Sequence, residues 1–383
     1  MKIPYGRQHI TDEDIAAVSE VLSADFLTQG PRIAEFEAAF AQYVGAQYAV
    51  AVSNGTAALH LCALALDVGP GSKAITTPIT FAASANCIAY CGGEVAFADI
   101  DPETFLLDPA KVRTMLEAAP AGTYQGIIPV DFAGYPADLP AFRKLADEFG
   151  LWIIEDACHA PGGYTLENDA IKFRCGDGQL AELAIFSFHP VKHIACGEGG
   201  MITTNDPAHY HKLCRLRTHG ITKDPALLTE NHGGWYYDMV DLGYNYRLTD
   251  IQAILGTKQL QKQPKWMERR QAIARKYDAA FAGTAVQIPK RAENIFHAFH
   301  LYVIQIDNRK GLFDHLRSKG IFAQVHYIPT HTLAYYRKKD RSSESLPLAE
   351  AYYARCLSLP MFPTLTEAEQ DFVIEQVRAF SGK

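Results

Sequence analysis

Short apolar runs alternate with helix-spaced patterns through the first two thirds of the chain, and this rhythm constrains the fold more than any other feature. The runs cover residues 48–52, 74–77, 94–98, 126–130, 151–155, 183–188 and 201–204. Helical patterns lie between most of them, for example at 56–66, 81–91 and 139–149. Strands alternating with helices imply an α/β fold with a mainly parallel sheet covered on both faces. Thr11 followed by Asp14 marks a helix start, with Ile15, Val18 and Leu22 on one face; Ile33, Phe36 and Phe40 repeat that spacing. Residues 160–182 break the rhythm and read as a hairpin or loop. Near Leu248 the pattern changes to two long helical stretches, 249–263 and 265–282. Candidate strands at 299–306 and 321–327 and a closing helix near 366–380 follow. The expected organisation is a large domain over 1–250 and a small α+β domain over 251–383.

A chain of 383 residues with 48% hydrophobic and 21% charged residues has the composition of an ordinary folded protein. Its formal charge of -7 argues against a general binder of nucleic acid or anionic membranes. The N-terminus lacks the apolar run of a secretory signal, and no apolar stretch reaches the length of a membrane span. Eight scattered cysteines without a CxxC pair suit reduced thiols in a cytoplasmic protein and give little support to structural zinc.

Ligands of an open α/β sheet bind outside the carboxyl ends of its strands, and four segments put polar groups there. Ser53-Asn54-Gly55-Thr56-Ala57 joins a strand to a helix, so free backbone N–H groups at the helix start form an anion cradle; a plain N-cap with a turn glycine is the alternative. Asp156 follows a strand and suits pairing with a pyridinium nitrogen, with His159 on the same turn; alternatively it caps the next element. Lys192, in Ser187-Phe188-His189-Pro190-Val191-Lys192, has the chemistry to form a Schiff base and then act as general acid and base, although a lone lysine is usually a surface charge. Ser187 is placed to add a phosphate contact. His189 and His193 have the spacing of a helical metal pair, but Pro190 lies between them and no HExxH pattern is present; no metal site is expected. Gly243-Tyr244-Asn245-Tyr246-Arg247-Leu248 offers polar groups to a neighbouring subunit, or simply closes a helix.

The order of these segments resembles that of fold-type-I pyridoxal-phosphate (PLP) enzymes. Within them, Phe26-Leu27-Thr28-Gln29-Gly30, Thr77-Pro78-Ile79-Thr80-Phe81, Glu155-Asp156-Ala157-Cys158-His159-Ala160 and Gly197-Glu198-Gly199-Gly200 are similar to the DegT/DnrJ/EryC1/StrS sugar aminotransferases. The resemblance implies Lys192 as the cofactor-holding lysine, Asp156 on the pyridine nitrogen, His159 on the ring oxygen and Phe81 stacked on the ring. Phe81 reads equally as a core residue of a helix over 81–91. Gly55, Thr56, Ala57 and Ser187 match phosphate-side positions, and Asn245 matches a residue donated across a homodimer interface. Tyr5, Asp25, Phe26, Leu27 and Thr28 match positions near the sugar nucleotide, which Gly55, Ser187 and Asn245 would also reach.

A narrower resemblance, carried by Ile3-Pro4-Tyr5-Gly6-Arg7-Gln8, Ser187–Lys192 and Ala323-Gln324-Val325-His326-Tyr327, points to the pseudaminic-acid branch of that family and adds His326 and Tyr327 to the substrate side. It implies transfer of the amino group of L-glutamate to UDP-2-acetamido-2,6-dideoxy-β-L-arabino-hex-4-ulose, giving UDP-4-amino-4,6-dideoxy-N-acetyl-β-L-altrosamine and 2-oxoglutarate. Another nucleotide-4-keto-sugar aminotransferase is the main rival. A sugar dehydratase is disfavoured because relatives of that type replace the lysine with histidine. A non-enzymatic sugar-nucleotide regulator is disfavoured by intact Lys192 and Asp156. No G-x-G-x-x-G follows an early strand, which disfavours an NAD-dependent oxidoreductase. Residues 165–178 and His232-Gly233-Gly234-Trp235 match no readable motif.

Overall fold

A computed structural model describes residues 2–339 and 345–382. Its main sheet has seven strands in the spatial order Tyr48–Val52, Gly200–Thr204, Leu183–Ser187, Trp152–Asp156, Gly126–Ile128, Lys73–Thr76 and Glu94–Phe97. Gly200–Thr204 runs antiparallel to both neighbours and every other pairing is parallel. The central strands are apolar and buried on both faces, as Leu183–Phe186 shows, because helices cover the two sides.

Helix Gly55–Ala65 is almost entirely buried. Its sequence GTAALHLCALA is apolar nearly all round, so it can sit between the sheet and the neighbouring helix Ala83–Tyr90. Helix Leu139–Phe149 buries only one stripe, Leu139, Phe142, Leu145 and Ala146. Asp138 caps its start through Ala141 N–H, and Gly150 at φ 68° ends it in the left-handed region. The expected start at Thr11 is a capping box with Asp14, opening helix Asp12–Leu22.

The excursion at 160–182 contains a β-hairpin, Tyr164–Glu167 with Ala170–Arg174. Its two turn residues, Asn168 (φ 52°) and Asp169 (φ 62°), both have left-handed backbone, the combination that matches the twist of paired strands. Ile295–Phe296 adds a third strand to this hairpin.

Beyond helices Asp250–Gln261 and Gln263–Phe281, strand Tyr302–Gln305 pairs with Cys356–Leu359, and helix Glu367–Ser381 closes the chain. The strand expected over 321–327 is shorter than its apolar pattern suggested: Ile321–Phe322 pairs in parallel with Ile3–Pro4 from the other end of the chain, and beyond it Gln324 makes a single antiparallel bridge to Ser358. Past that bridge the chain turns His326 and Tyr327 toward the site described below. Ile3 lies in one core with Tyr277, Leu312, Leu359 and Val373, so the N-terminus is anchored in the C-terminal third. Among the described residues no helix is long and apolar enough to cross a membrane.

Candidate active site

A cavity of about 710 Å³ opens at the carboxyl ends of the parallel strands, within the usual range for a small-molecule site. Asp156 is the last residue of Trp152–Asp156 and Ser187 the last of Leu183–Ser187, and both line it. Lys192 follows in the irregular segment after Ser187 and reaches the same cavity. A second cavity, of about 20 Å³ between Phe105, Phe132 and Phe299, has room for roughly one water molecule.

The Lys192 amine has no hydrogen-bond or ion-pair partner among the described residues. The side chain is half-buried, its remaining exposure facing the cavity. Burial pulls its pKa below the usual lysine value, against the opposing pull of Cys158 and Asp156. A lysine in this state is closer to the free-base form that attacks a carbonyl. Both oxygens of Asp156 are held: Oδ2 accepts from Ser84 Oγ at 2.6 Å and Oδ1 from Cys158 N–H at 3.2 Å.

At the start of helix Gly55–Ala65 the N-cap Asn54 accepts from Ala57 N–H at 2.8 Å. The N–H groups of Gly55 and Thr56 have no acceptor among the described residues and are left to a ligand. The cradle therefore narrows to Gly55 and Thr56, since the amide of Ala57 is already engaged. A Cβ at Gly55 would sit 3.0 Å from Ser187 Cβ, and one at Gly200 would sit 2.5 Å from the Asn54 carbonyl oxygen. Glycine at these two positions lets three backbone segments close around one anion-sized space.

The match to a known family extends over nearly all of this frame. Residues 8–378 fit the model of the DegT/DnrJ/EryC1/StrS aminotransferase family. The chain belongs to that family. Spore coat polysaccharide biosynthesis protein SpsC of Bacillus subtilis (strain 168) is 38% identical across 98% of this chain and 96% of its own length. Among solved structures, Helicobacter pylori PseC, an aminotransferase involved in the biosynthesis of pseudoaminic acid, superposes with a TM-score of 0.90 at 28% identity, covering 100% of both chains. The PLP form of the putative sugar aminotransferase Spr1654 from Streptococcus pneumoniae gives 0.89 at 29% identity, covering 100% of this chain and 99% of that one. The protein is thus a PLP-dependent sugar aminotransferase of fold type I.

The cavity fits the cofactor of this family. Two unpaired amide N–H groups suit its phosphate, the Asp156 carboxylate its ring nitrogen, and the unpartnered Lys192 amine its aldehyde carbon. Phe81 is not a core residue of a helix, because the helix begins only at Ala83; the residue is 63% exposed and lines the cavity. His159 is buried, and its Nδ1 accepts from Ala133 N–H at 3.2 Å. That contact leaves the hydrogen on Nε2, which lies 3.2 Å from Tyr327 Oη. Burial first, then the Lys192 charge, keeps this ring neutral. Tyr5 and His326 complete that wall, their ring centroids 5.2 Å apart. Burial and Lys192 pull the His326 pKa down to about 3.

Five expected residues do not line the cavity of their own chain. Asp25, Phe26, Leu27 and Thr28 are exposed, because Thr28 bridges Thr249 and the Leu27 carbonyl accepts from Asp250 N–H, holding the segment against the start of helix Asp250–Gln261. Asn245 is also exposed and bridges Thr218. His189 and His193 do not form a pair either: His189 is exposed, whereas His193 is buried with Nε2 2.9 Å from the Ala298 carbonyl. Sequence reasoning missed Thr80, Ser84 and Cys158 as site residues, although all three line the cavity.

Behind Asp156, the carboxyls of Asp131 and Glu155 meet in the core, with Cys175 beside them. Asp131 Oδ1 accepts from Ala137 N–H at 2.8 Å and Glu155 Oε2 from Gly176 N–H at 3.0 Å. The other two oxygens have no further donor, so one proton shared between them satisfies both. Burial raises the Asp131 pKa to about 6 and Glu155 well above its usual value, with Asp156, Asp177 and Cys175 adjacent. Acids raised by folding contribute stability at low pH that is lost as pH climbs through the folded pKa. Thermal stability is therefore expected to fall as pH rises from about 4 through 6 and beyond. Glu155→Gln, which supplies the shared hydrogen permanently, should be more stable than the parent at pH 8 by on the order of 1–3 kcal/mol, read from melting curves. Parallel curves for parent and variant across this range would refute the shared proton.

Proposed function

We propose that the protein moves the amino group of L-glutamate to C4 of a UDP-linked 4-keto-6-deoxy sugar, with UDP-2-acetamido-2,6-dideoxy-β-L-arabino-hex-4-ulose as the favoured acceptor. The product is UDP-4-amino-4,6-dideoxy-N-acetyl-β-L-altrosamine, a precursor of pseudaminic acid, with 2-oxoglutarate released. The observation that carries this reading is the convergence of the Lys192 amine and the Asp156 carboxylate on one cavity beside an anion cradle. The likeness to PseC over the full length of both chains supports the choice of sugar.

In this reading Lys192 would hold the cofactor and, once its amine is free, would take the proton from the donor Cα. PLP, when bound, supplies an electron sink for the pair released as that C–H bond breaks. Asp156 would keep the ring nitrogen protonated, and Gly55, Thr56 and Ser187 would hold the phosphate. Phe81 would stack on the ring, and His159, whose Nε2 lies 3.2 Å from Tyr327 Oη, would serve the ring oxygen. In the second half of the cycle Lys192 returns a proton to C4 of the sugar. A single base on one face delivers that proton to one side, so one C4 configuration results. Tyr5, His326 and Tyr327 line the sugar side.

We place Asn245 and the exposed segment Asp25–Thr28 at the cavity of a second copy, making the working unit a cytoplasmic homodimer with shared sites. The exposed Trp235, Met239 and Leu242, close in sequence to Asn245, support this arrangement. The test is incubation with glutamate and a panel of UDP-4-keto sugars, reading products by mass and NMR. The favoured acceptor should react at least about tenfold faster than its C5 epimer. A faster reaction with another 4-keto sugar would move the assignment to a different branch of the family. No product from any of them would remove the sugar assignment.

A further inference from the structure

The carboxylate at the end of strand Trp152–Asp156 is approached from a helix that no sequence motif singled out. Ser84 lies in the first turn of helix Ala83–Tyr90 and is 1% exposed. Its Oγ is 2.6 Å from Asp156 Oδ2 and 2.7 Å from Thr80 Oγ1. A serine hydroxyl carries one hydrogen, and a carboxylate oxygen only accepts. Ser84 must therefore donate to Asp156 and accept from Thr80, which fixes the direction of the whole chain: Thr80 to Ser84 to Asp156. The competing contact from Ser84 Oγ to the Phe81 carbonyl is longer, at 3.4 Å.

Thr80 is itself held. Thr330, fully buried, donates its N–H to the Pro78 carbonyl at 2.8 Å and its hydroxyl to the Thr80 carbonyl at 3.3 Å. The 78–80 segment thus has a fixed backbone from which the Thr80 hydroxyl points to Ser84. Cys158 N–H occupies the other carboxylate oxygen at 3.2 Å. One protein donor on each oxygen leaves lone pairs for a further donor from the cavity, and the plane of the carboxylate is set before any ligand arrives.

We propose that Ser84, oriented by Thr80, is a positioning residue that aims the Asp156 carboxylate at the cofactor ring nitrogen and thereby sets how firmly that nitrogen is held. This rests on the assignment of Asp156 to the ring nitrogen. Loss of a charge-assisted hydrogen bond to a functional carboxylate lowers what it supports by about tenfold or more.

The test compares Ser84→Ala, Ser84→Thr, Thr80→Val and Asp156→Asn with the parent protein. Three readouts are needed: affinity of the cofactor-free protein for PLP, the pH titration of the bound-cofactor absorbance, and kcat against KM for glutamate. Ser84→Ala is expected to bind PLP roughly tenfold more weakly, to shift the absorbance titration, and to lose roughly tenfold in kcat with KM little changed. Ser84→Thr restores all three, and Thr80→Val shows the same pattern at about threefold. If Ser84→Ala fails to fold, Thr80→Val and Ser84→Thr decide. Asp156→Asn separates the two claims: when it loses function while the Ser84 and Thr80 variants keep the parent titration and affinity, the relay is refuted and the ring-nitrogen assignment stands. When Asp156→Asn itself matches the parent, the assignment fails and the relay with it.

Discussion

Lys192→Ala is expected to lose the roughly 420 nm absorbance of lysine-bound PLP and at least about a thousandfold in transamination. In the proposed mechanism two functions vanish together: the amine that holds the cofactor and the base that moves the proton. The local structure should survive, because the Lys192 amine has no partner among the described residues and its removal orphans no buried group. An alanine there also relieves the cost of keeping a charge in a desolvated position, so melting temperature should hold or rise slightly. Absorbance, single-turnover rates with glutamate and a melting curve check this together. A variant with parent activity would remove Lys192 from the chemistry, and a variant that unfolds would show that the side chain carries structure.

Asp156→Asn should cost on the order of a hundredfold in the glutamate half-reaction while the protein stays folded. The amide keeps the shape of the side chain and one acceptor, so Ser84 or Cys158 N–H retains a partner. What disappears is the negative charge that, in the proposed mechanism, favours a protonated ring nitrogen. The half-reaction, followed by loss of the bound-cofactor band, isolates this step from sugar binding. A decline confined to the sugar half of the cycle would place Asp156 on the substrate and not on the cofactor.

Much of the frame behind these predictions was legible in the sequence because it is written in local periodicity. Residues 48–52 and 139–149 match strand Tyr48–Val52 and helix Leu139–Phe149 to the residue, since apolar runs and caps act within a few positions. Gly55, Asp156, Ser187 and Lys192 were legible as candidates because the carboxyl ends of parallel strands collect ligand-binding groups, and all four line one cavity. Phe81 was ambiguous because a helical pattern does not say where the helix starts; the start at Ala83 leaves the ring exposed. The turn at Asn168-Asp169 was readable in principle from its residue types.

Other features depend on distant partners. Ser84 reads as one more small residue of an apolar helix until a strand 72 positions away brings Asp156 to it. Tyr327 meets His159 across a separation of 168 residues. The pairing of Ile3–Pro4 with Ile321–Phe322 joins opposite ends of the chain, and no local signal encodes it. The carboxyl pair Asp131–Glu155 hides in runs that read as ordinary strand ends, because a shared proton leaves no mark on composition.

The central claim is that one amine in this chain carries the cofactor. Borohydride reduction of the PLP-loaded protein, followed by peptide mapping, fixes the cofactor to whichever side chain holds it. The structure predicts a single modified peptide with the added mass on Lys192. Modification of a different lysine, or an unmodified Lys192 in fully loaded protein, would contradict it.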